Sequence, residues 1–537
     1  MIVRQAVLLI PAIDHFDDAP IVQMNFLFFI LAALSSSSLC NSARILALLP
    51  VNSRSHFIVM EPLLMALQKR GHHLTVVSSF PQKYFLQNYT YIDLSAQVSA
   101  GNFSLQFIRN KMSNPFNTPI FYMNYHRIVC EHALKNDRVL NLIKENFDLA
   151  IGEMFGSNCF NYVFYKLRVP FINWVVSTPL PWIDTRFGIP DNPSYIPNFL
   201  MDYSSNLTIF QRVFNTVILL YAKTTYFFFS DLSAHKLAEE SFGEHMPMMN
   251  EVNQQTSLIL FNSHFTLSQS RPLPPNAVEV GGIHIKDRSH LPEDLEQLLD
   301  GAEDGALLVS FGSLVRMSSL PPQVIRMFLD VFSTLPQRVI FKYETELEAV
   351  PSNVFVRKWV PQSDIIAHPN VRAVISHGGQ ASTIEAVYFG KPLVVIPFFG
   401  DQYQNAKNVV RRGVGLMLDI DNLSQRDITY AVKTIMNDTS YTENMRRLSQ
   451  QFRDRPMTPL QTAVYWTEYV IRHQGAPHLR PASVSLPLYQ YLLLDVIAIL
   501  VISLVAVFLI IYKTVNLVRK GLYLTYMHKL DRNKKEI

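Results

Sequence analysis

The chain has 537 residues, of which 49% are hydrophobic, and its formal net charge is +4 at pH 7. This length exceeds that of one ordinary domain and predicts two domains, while the nearly balanced charge excludes a nucleic-acid-binding surface spread over the chain. The three cysteines, Cys40, Cys130 and Cys159, are too few for a disulfide scaffold or a cysteine-rich zinc site. If Cys40 is lost with a leader peptide, the other two either pair in an oxidising compartment or remain buried thiols, and both alternatives stay open.

The amino terminus carries the pattern of a secretory signal. Residues 25–37 form an apolar block that ends in small side chains and is too short to span a bilayer, so cleavage is expected between Cys40 and Ala43. Three aspartates precede Met24, where a leader favours positive charge, and initiation at Met24 instead of Met1 is therefore an alternative. We assign residues 1–43 to an N-terminal extension and signal peptide.

Residues 44–265 follow the pattern of an α/β domain. An apolar run predicts a strand at 44–51, followed by a polar turn through His56 and a helix to Arg70 that Gly71 ends. The next apolar run completes a β-α-β unit, which requires a parallel sheet. Together, the strands predicted after the first one lie at 73–79, 149–152, 171–177 and 258–261.

Residues 266–485 predict a second domain of the same doubly wound type, with closing helices. The proline-rich segment 271–275 reads as the linker between the domains. Apolar runs that alternate with helical segments predict strands at 306–311, 338–342, 371–376 and 393–396. Two such domains leave a cleft between the carboxyl ends of their strands, which is where open α/β sheets bind ligands.

The turn at residues 377–379, His-Gly-Gly, has the composition of an anion site. It precedes a helix predicted at 382–389, which Ser382 is expected to cap. Backbone N–H groups of the turn, including that of Gly379, and the helix dipole would both face an anionic ligand. His377 adds a donor for a diphosphate oxygen.

Further polar side chains complete a nucleotide-sugar pattern. Glu385, one helical turn later, can accept hydrogen bonds from ribose hydroxyls, while Asp401 and Gln402 offer acceptor and donor groups to sugar hydroxyls. In the first domain, His56 closes the turn after the first strand, on the ligand edge of the sheet. Of the sixteen histidines it is the one best placed to act as a general base.

The carboxyl terminus predicts a single membrane span at 486–512, interrupted only by Asp495. The basic tail at 513–537 marks the cytoplasmic side, so the body would be lumenal. The tail ends Lys534-Lys535-Glu536-Ile537, which resembles the dilysine retrieval signal of endoplasmic-reticulum membrane proteins. The predicted lumenal body contains five N-glycosylation sequons, at Asn88, Asn102, Asn206, Asn422 and Asn437.

The motifs of the second half resemble the nucleotide-sugar signature of family 1 glycosyltransferases. They are Trp-Val-Pro-Gln at 359–362, the turn at 377–379, Glu385 and the Asp401-Gln402 pair. Their spacing fits the animal UDP-glucuronosyltransferase and UDP-glucosyltransferase branch. The resemblance implies an α/β fold of the glycosyltransferase B type, with two Rossmann-like doubly wound domains facing a cleft and one C-terminal transmembrane helix.

The resemblance also assigns roles in the donor site. It implies that Trp359 stacks on uracil, that Gln362 and Glu385 hold the ribose, and that Ser313 and His377 contact the diphosphate.

One position departs from the family pattern. Many members of this family carry asparagine where this chain has Ala381, and the lost amide is expected to weaken phosphate binding by about 1 kcal/mol. The neighbouring Ser382 can compensate.

The implied reaction is an inverting transfer of a sugar from a UDP-sugar to the hydroxyl of a small lipophilic acceptor. The family's catalytic histidine falls on His56, and its partner carboxylate falls on Glu153, where relatives usually have aspartate. Such a mechanism needs no metal and no cofactor, because the UDP-sugar is a co-substrate.

Several alternatives stay open. The resemblance favours glucuronate as the sugar, with glucose as the alternative; a catalytically weak, lipophile-binding relative is the competing class of function. The acceptor and the oligomeric state, homo- or hetero-oligomer, are not readable. The aromatic stretch at 221–229 is most simply packed core, and a pocket wall or a membrane contact are its other interpretations.

Overall fold

The computed structural model describes residues 42–82, 84–95, 104–112, 114–155, 157–203, 206–286 and 291–535. The predicted signal peptide with Cys40, the sequon residue Asn102 and the last two residues of the predicted retrieval signal lie outside the described residues. The described chain forms two parallel sheets with their helices, followed by one long C-terminal helix.

The first half forms a single parallel sheet of seven strands in the order β3-β2-β1-β4-β5-β6-β7. Its strands and helices in chain order are β1 (Arg44–Leu49), α1 (Arg54–Lys69), β2 (His73–Ser78), β3 (Tyr89–Asp93), α2 (Leu105–Met112), α3 (Asn117–Leu134), α4 (Asp137–Leu140), β4 (Leu149–Glu153), α5 (Asn161–Leu167), β5 (Phe171–Val175), α6 (Ile209–Tyr226), α7 (Leu232–Phe242), α8 (Met249–Asn253), β6 (Thr256–Phe261) and β7 (Ala277–Glu279). A π-helical turn, Phe227–Asp231, joins α6 to α7. The predicted parallel, doubly wound sheet is confirmed.

The second half repeats this arrangement with six parallel strands in the order β10-β9-β8-β11-β12-β13. Its strands and helices are α9 (Glu293–Asp300), β8 (Ala306–Ser310), α10 (Pro322–Ser333), β9 (Arg338–Lys342), β10 (Val354–Arg357), α11 (Gln362–Ala367), β11 (Val371–Ser376), α12 (Gln380–Tyr388), β12 (Leu393–Val395), α13 (Gln402–Arg411), β13 (Gly415–Met417), α14 (Gln425–Asn437), α15 (Thr439–Arg453) and α16 (Pro459–Arg472). In both sheets the chain reverses its direction of winding beside the first strand, as in Rossmann folds.

The first β-α-β unit positions the amino-terminal wall of the cleft. β1 is a continuous apolar run that is buried almost throughout, as expected for a strand covered by helices on both faces. α1 begins at Arg54, because Ser53 O already accepts a helical hydrogen bond from Phe57 N at 3.2 Å. The predicted polar turn therefore ends before residue 54 and does not extend to His56, which lies in the first turn of the helix.

The sequence prediction omits β3, β7, β10 and β13, which are the outer strands of the two sheets. Outer strands are half exposed or short, so no continuous apolar run marks them. β7 follows the proline-rich segment and still pairs with β6 of the first sheet. The crossing into the second sheet therefore comes later in the chain than the predicted linker at 271–275.

Helix α16 returns from the second half to pack on the first. Its buried Ala463, Val464 and Val470 share a core with the apolar residues of α1 and β1. Arg70 donates two hydrogen bonds to the carboxylate of Glu468 on α16, at 2.5 and 2.9 Å. This helix ties the two halves together at the side of α1.

The two body cysteines form a disulfide between Cys130 on α3 and Cys159, 29 residues apart. Of the two alternatives left open by the sequence, pairing is therefore the one that the structure contains. The bond holds α3 against the segment that follows β4.

The C-terminal helix α18 (Leu494–Lys535) is preceded by the short α17 (Leu488–Tyr491). Its most apolar 18-residue window has a mean hydropathy of 3.1 and no buried residue, so among the described helices it is the one long and apolar enough to cross a membrane. Leu493 has a φ of 53°, which separates α17 from α18. The helix predicted at 486–512 therefore begins at Leu494 instead of residue 486, and it continues beyond residue 512 into the basic tail.

Candidate active site

A cavity of about 510 Å³ lies between the two sheets, at the carboxyl ends of their strands. This is the position that the sequence predicts for the ligand. Its wall contains His56 and all predicted donor residues, namely Ser313, Trp359, Gln362, His377, Gly379, Ser382, Glu385, Asp401 and Gln402.

On the first-half side of the cavity, His56 is paired with Glu153. β1 and β4 are parallel neighbours in the sheet, with Leu48 opposite Gly152, so the segments that follow them meet at one edge. His56 Nδ1 lies 2.5 Å from Glu153 Oε1, and the Glu153 side chain has no exposed surface. Because a carboxylate can only accept, Nδ1 carries the proton and Nε2 is left as the acceptor nitrogen.

The ring of Phe155 packs edge-on against His56, with ring centroids 5.2 Å apart. The same Phe155 contacts Tyr122 and His126 of α3 at 5.3 and 5.5 Å. Burial lowers the pKa of His126 to about 3, so this second histidine is neutral and donates Nδ1–H to Tyr122 O at 2.6 Å. It belongs to the supporting wall of the cleft.

Asp401 and Gln402 stand at the start of α13, across the cavity from His56. Burial raises the pKa of Asp401 to about 6, although Asn405 donates a hydrogen bond to it at 3.1 Å and the charge of His56 acts in the opposite direction. The Gln402 oxygen accepts from the backbone N–H groups of Phe398 and Phe399, at 2.8 and 3.2 Å. The Gln402 oxygen is thus used within the loop that precedes α13, and the amide N–H groups of Gln402 remain available to a ligand.

The anion turn lies between β11 and α12. Gly378 has a φ of 81°, which favours glycine, and α12 begins at Gln380, two residues before the prediction. Ser382 therefore lies inside the first turn and does not cap the helix. Its hydroxyl instead accepts a hydrogen bond from Gln362 Nε2 at 2.9 Å.

His377 is enclosed by two glycines. A Cβ atom at Gly312 would lie 2.7 Å from His377 Cε1, and one at Gly379 would collide with the same ring. Burial, and secondarily the charge of Lys342, lowers the pKa of His377 to about 4. The side chain is thus a neutral N–H donor at neutral pH rather than a cation.

Gln362 organises the opposite end of the donor site. Ser310 donates to Gln362 Oε1 at 2.7 Å, and Gln362 Nε2 donates to Glu385 Oε2 at 2.6 Å. Burial raises the pKa of Glu385 to about 7. The two residues that the resemblance assigns to the ribose are therefore direct hydrogen-bond partners.

Trp359 is 59% exposed at the edge of the cavity, so its ring is available to a ligand and is not part of the core. Lys342 at the end of β9 lies 5.8 Å from the ring centroid and donates to Gly312 O at 2.7 Å. Sequence reasoning missed Lys342, although a lysine at the carboxyl end of a buried strand was a usable signal. It also missed Tyr122 and Phe155, which no motif marks.

A cluster of Glu296, Asp300 and His368 brings possible metal ligands together, outside the wall of the cavity. His368 Nδ1 accepts the backbone N–H of Asn370 at 3.2 Å, so its proton resides on Nε2 and points to Asp300 Oδ1 at 3.3 Å. The lone pair that a metal would need is therefore protonated. In this cluster His368 is thus a neutral hydrogen-bond donor to Asp300.

Comparisons with known proteins show the family of the chain. Residues 44–523 match the model of the family described as UDP-glucoronosyl and UDP-glucosyl transferase. The chain is 44% identical over 488 residues to UDP-glucosyltransferase 2 of Dactylopius coccus, covering 89% of this chain and 94% of that protein. It is 31% identical over 485 residues to human UDP-glucuronosyltransferase 1A1, covering 87% and 90%.

Solved glycosyltransferases share the fold. The glycosyltransferase VinC, solved in complex with DTDP, superposes with a TM-score of 0.55 at 14% identity, covering 80% of this chain and all of that one. The glycotransferase of kitacinnamycin gives 0.54 at 17% identity, covering 81% and 99%. The fold is therefore of the glycosyltransferase B type, and the chain belongs to the UDP-glucuronosyl and UDP-glucosyl transferase family and is a UDP-glycosyltransferase.

Proposed function

We propose that the enzyme transfers a neutral hexose, in the first place glucose, from a UDP-sugar to the hydroxyl of a small lipophilic acceptor, with inversion at the anomeric carbon. The observation that carries this proposal is the His56–Glu153 pair, which faces the cavity from the half opposite the anion turn. It supplies a base where an acceptor hydroxyl would meet the donor.

In the proposed reaction, His56 Nε2 takes the proton of the acceptor hydroxyl as its oxygen attacks the anomeric carbon. The bond from that carbon to the diphosphate breaks, and UDP leaves with the electron pair. Glu153 holds the ring in the productive tautomer and stabilises the imidazolium that forms. The proton then passes to solvent, and no metal or cofactor takes part.

The second half supplies the donor contacts in this proposal. Trp359 stacks on the uracil, Gln362 and Glu385 bind the ribose, and His377 donates to the diphosphate beside the N-terminus of α12. Lys342 adds a positive charge close to the indole and the His377 ring. Ser313 and the N–H groups around Gly379 complete the set.

The charges around Asp401 support a neutral sugar. Asp401 faces His56, whose partner Glu153 is a second buried carboxylate. Lys342, by contrast, lies at the nucleotide end of the cavity. A glucuronate carboxylate near Asp401 would meet like charge in a poorly solvated site, so we place glucose ahead of glucuronate, the reverse of the order that the resemblance favours.

The apolar part of the wall supports a lipophilic acceptor. Tyr122, Phe155, Val176 and Phe399 line the cavity beside His56 and Asp401. Such a surface favours a small apolar molecule that presents one hydroxyl to the base. A protein that only binds lipophiles would not need the buried carboxylate of Glu153 to orient His56.

We further propose that α18 anchors the enzyme in the endoplasmic-reticulum membrane with the body in the lumen. The disulfide between Cys130 and Cys159 supports an oxidising compartment for the body. The lysines and arginines that follow the apolar part of α18 support a cytosolic tail.

Replacing the proposed base tests the mechanism. We expect His56→Ala to lower kcat by about 10² to 10⁴-fold, the usual contribution of general-base catalysis, and to leave UDP affinity unchanged because the nucleotide site lies in the other half. Glu153→Gln should lower kcat with little effect on UDP affinity. His132→Ala is the control, since His132 is an exposed histidine of α3 outside the cavity wall. Wild-type turnover in His56→Ala would contradict the mechanism.

Donor binding should depend on pH through Glu385. Its pKa of about 7 in the empty enzyme means that it is partly protonated at neutral pH, whereas ribose hydroxyls donate to the ionised form. Binding should therefore release a proton, and affinity for UDP-glucose should fall by up to about tenfold per pH unit as the pH drops below about 7.

Calorimetric titrations with UDP-glucose between about pH 8 and pH 6 measure this slope. Glu385→Gln should flatten it, and the difference between the two profiles isolates Glu385 from Asp401, which titrates in the same range. If affinity depends on pH equally in the variant and the wild type, the proton released on binding does not come from Glu385.

The donor sugar is tested with initial rates for UDP-glucose and UDP-glucuronate and one phenolic acceptor. We expect faster transfer from UDP-glucose. Asp401→Asn should slow both reactions but lower the ratio of the glucose rate to the glucuronate rate. The variant lacks the charge that would repel the glucuronate carboxylate. Asp364→Asn removes a carboxylate near Glu385 at the nucleotide end and should leave the ratio unchanged. Faster transfer of glucuronate by the wild-type enzyme would overturn the assignment.

A further inference from the structure

Helix α6 is apolar on two opposite faces. Its inner face, with Ile218, Ala222 and Tyr226, is buried in the core of the first half. A second row of apolar side chains points away from the body and is called here the outer face of α6. Its members and exposed fractions are Ile209 59%, Phe210 83%, Val213 58%, Phe214 37%, Val217 47% and Leu220 60%.

The exposed apolar surface continues beyond the end of α6. Phe227, Phe228 and Phe229 in the following π-helical turn are 42%, 57% and 45% exposed. A helix of 18 residues is about 27 Å long at 1.5 Å per residue. So many exposed apolar side chains along one helix and the turn that follows it are unusual on a body surrounded only by water and mark an interaction site.

The charges of α6 restrict what can cover this surface. Its sequence, IFQRVFNTVILLYAKTTY, contains no aspartate or glutamate, and its charged residues are Arg212 and Lys223. An exposed apolar face on a helix whose own charged side chains are all basic is the pattern of a helix that lies in the plane of a membrane interface.

The position of α6 next to the pre-membrane segment points to the same partner. Lys223 of α6 forms an ion pair with Asp191. A few residues earlier, the backbone of Gly188 passes so close to Pro481 and Ser483 that a Cβ atom at this position would lie 2.6 Å from Pro481 Cγ and 3.0 Å from Ser483 Oγ. One loop therefore touches both α6 and the segment that leads into the membrane helix.

We propose that the outer face of α6 lies in the lumenal surface of the bilayer that α18 crosses, with its apolar side chains between the lipid headgroups and the acyl chains. This rests on the proposed function of α18 as the membrane span. It resolves the open interpretation of the aromatic stretch at 221–229 in favour of membrane contact for its exposed phenylalanines.

The contact would also bring the acceptor side of the active site to the lipid. Tyr221 of α6 donates to Phe116 O at 3.0 Å, and the rings of these residues lie 5.2 Å apart. Phe116 is directly followed by α3, whose Tyr122 lines the cavity. Lipophilic acceptors dissolved in the bilayer would thus lie close to the helix that forms the wall of their site.

Fluorescent probes on the full-length chain test the proposal. Single cysteines are introduced by Phe210→Cys, Val217→Cys, Leu504→Cys within α18, and Tyr430→Cys as a matched exposed aromatic on α14 that is 66% exposed, each with Cys40→Ser. Each variant is labelled with an environment-sensitive fluorophore and reconstituted into phosphatidylcholine vesicles. Quenching is measured with phosphatidylcholine brominated in its acyl chains and with aqueous iodide, and retained UDP binding verifies folding.

We expect the probes at positions 210, 217 and 504 to lose most of their emission to brominated lipid and to resist iodide, and the probe at 430 to behave in the opposite way. If position 504 is quenched by lipid but 210 and 217 are quenched by iodide, α6 faces water and the proposal is wrong although the span stands. Shielding of 210 and 217 from both quenchers would mean that a second copy or another protein covers them, which also overturns it. Failure of lipid to quench position 504 would instead refute the span itself.

Discussion

The carboxylate of Glu153 sits at the end of a central strand with no exposed surface, and its pairing with His56 is what makes that position tolerable. A buried carboxylate needs a hydrogen-bond donor or a positive charge beside it, because it has lost its water. Oε2 has no hydrogen-bond partner among the described residues, so the bond of Oε1 to His56 carries the compensation alone. The tautomer and orientation of His56 follow from this one contact.

The strand order of the first half brings His56 and Glu153 together. β1 and β4 lie side by side and run in the same direction, so a side chain after one and a side chain at the end of the other meet at the cleft. α16 packs against α1 and thereby couples the second half to the helix that carries His56. This packing fixes the position of His56 relative to the turn at 377–379, although the two belong to different halves of the chain.

Burial has a different consequence in the donor half. It makes His377 neutral near pH 7 and raises the pKa of Glu385 to about 7, while Lys342 lies at the end of β9. The diphosphate would bind to N–H donors, a helix N-terminus and one lysine. The ribose would bind to the carboxyl group of Glu385, which is partly protonated near pH 7. We expect Glu385 in such a site to lose its proton when the nucleotide binds.

The sequence predicted much of this arrangement because long apolar runs reveal buried parallel strands, and the glycines of 377–379 reveal a turn before a helix. These patterns and the family resemblance predict His56, Glu153 and the donor residues. The structure places His56 and the predicted donor residues in the wall of the cavity, with Glu153 hydrogen-bonded to His56. Tyr122 and Phe155 were not found because their position depends on how α3 packs, which no local pattern encodes. Ser382 was given a capping role that its position inside α12 rules out, since α12 begins before it.

If His56 and Glu153 act as one unit, their effects on turnover should not be independent, and a double-mutant cycle measures this. The kcat values of His56→Ala, Glu153→Gln and the double variant are measured under saturating UDP-glucose and acceptor. If Glu153 acts only through His56, the double variant should be as slow as His56→Ala and no slower. A double variant slowed by the product of the two single effects would show that Glu153 acts independently and would contradict the account.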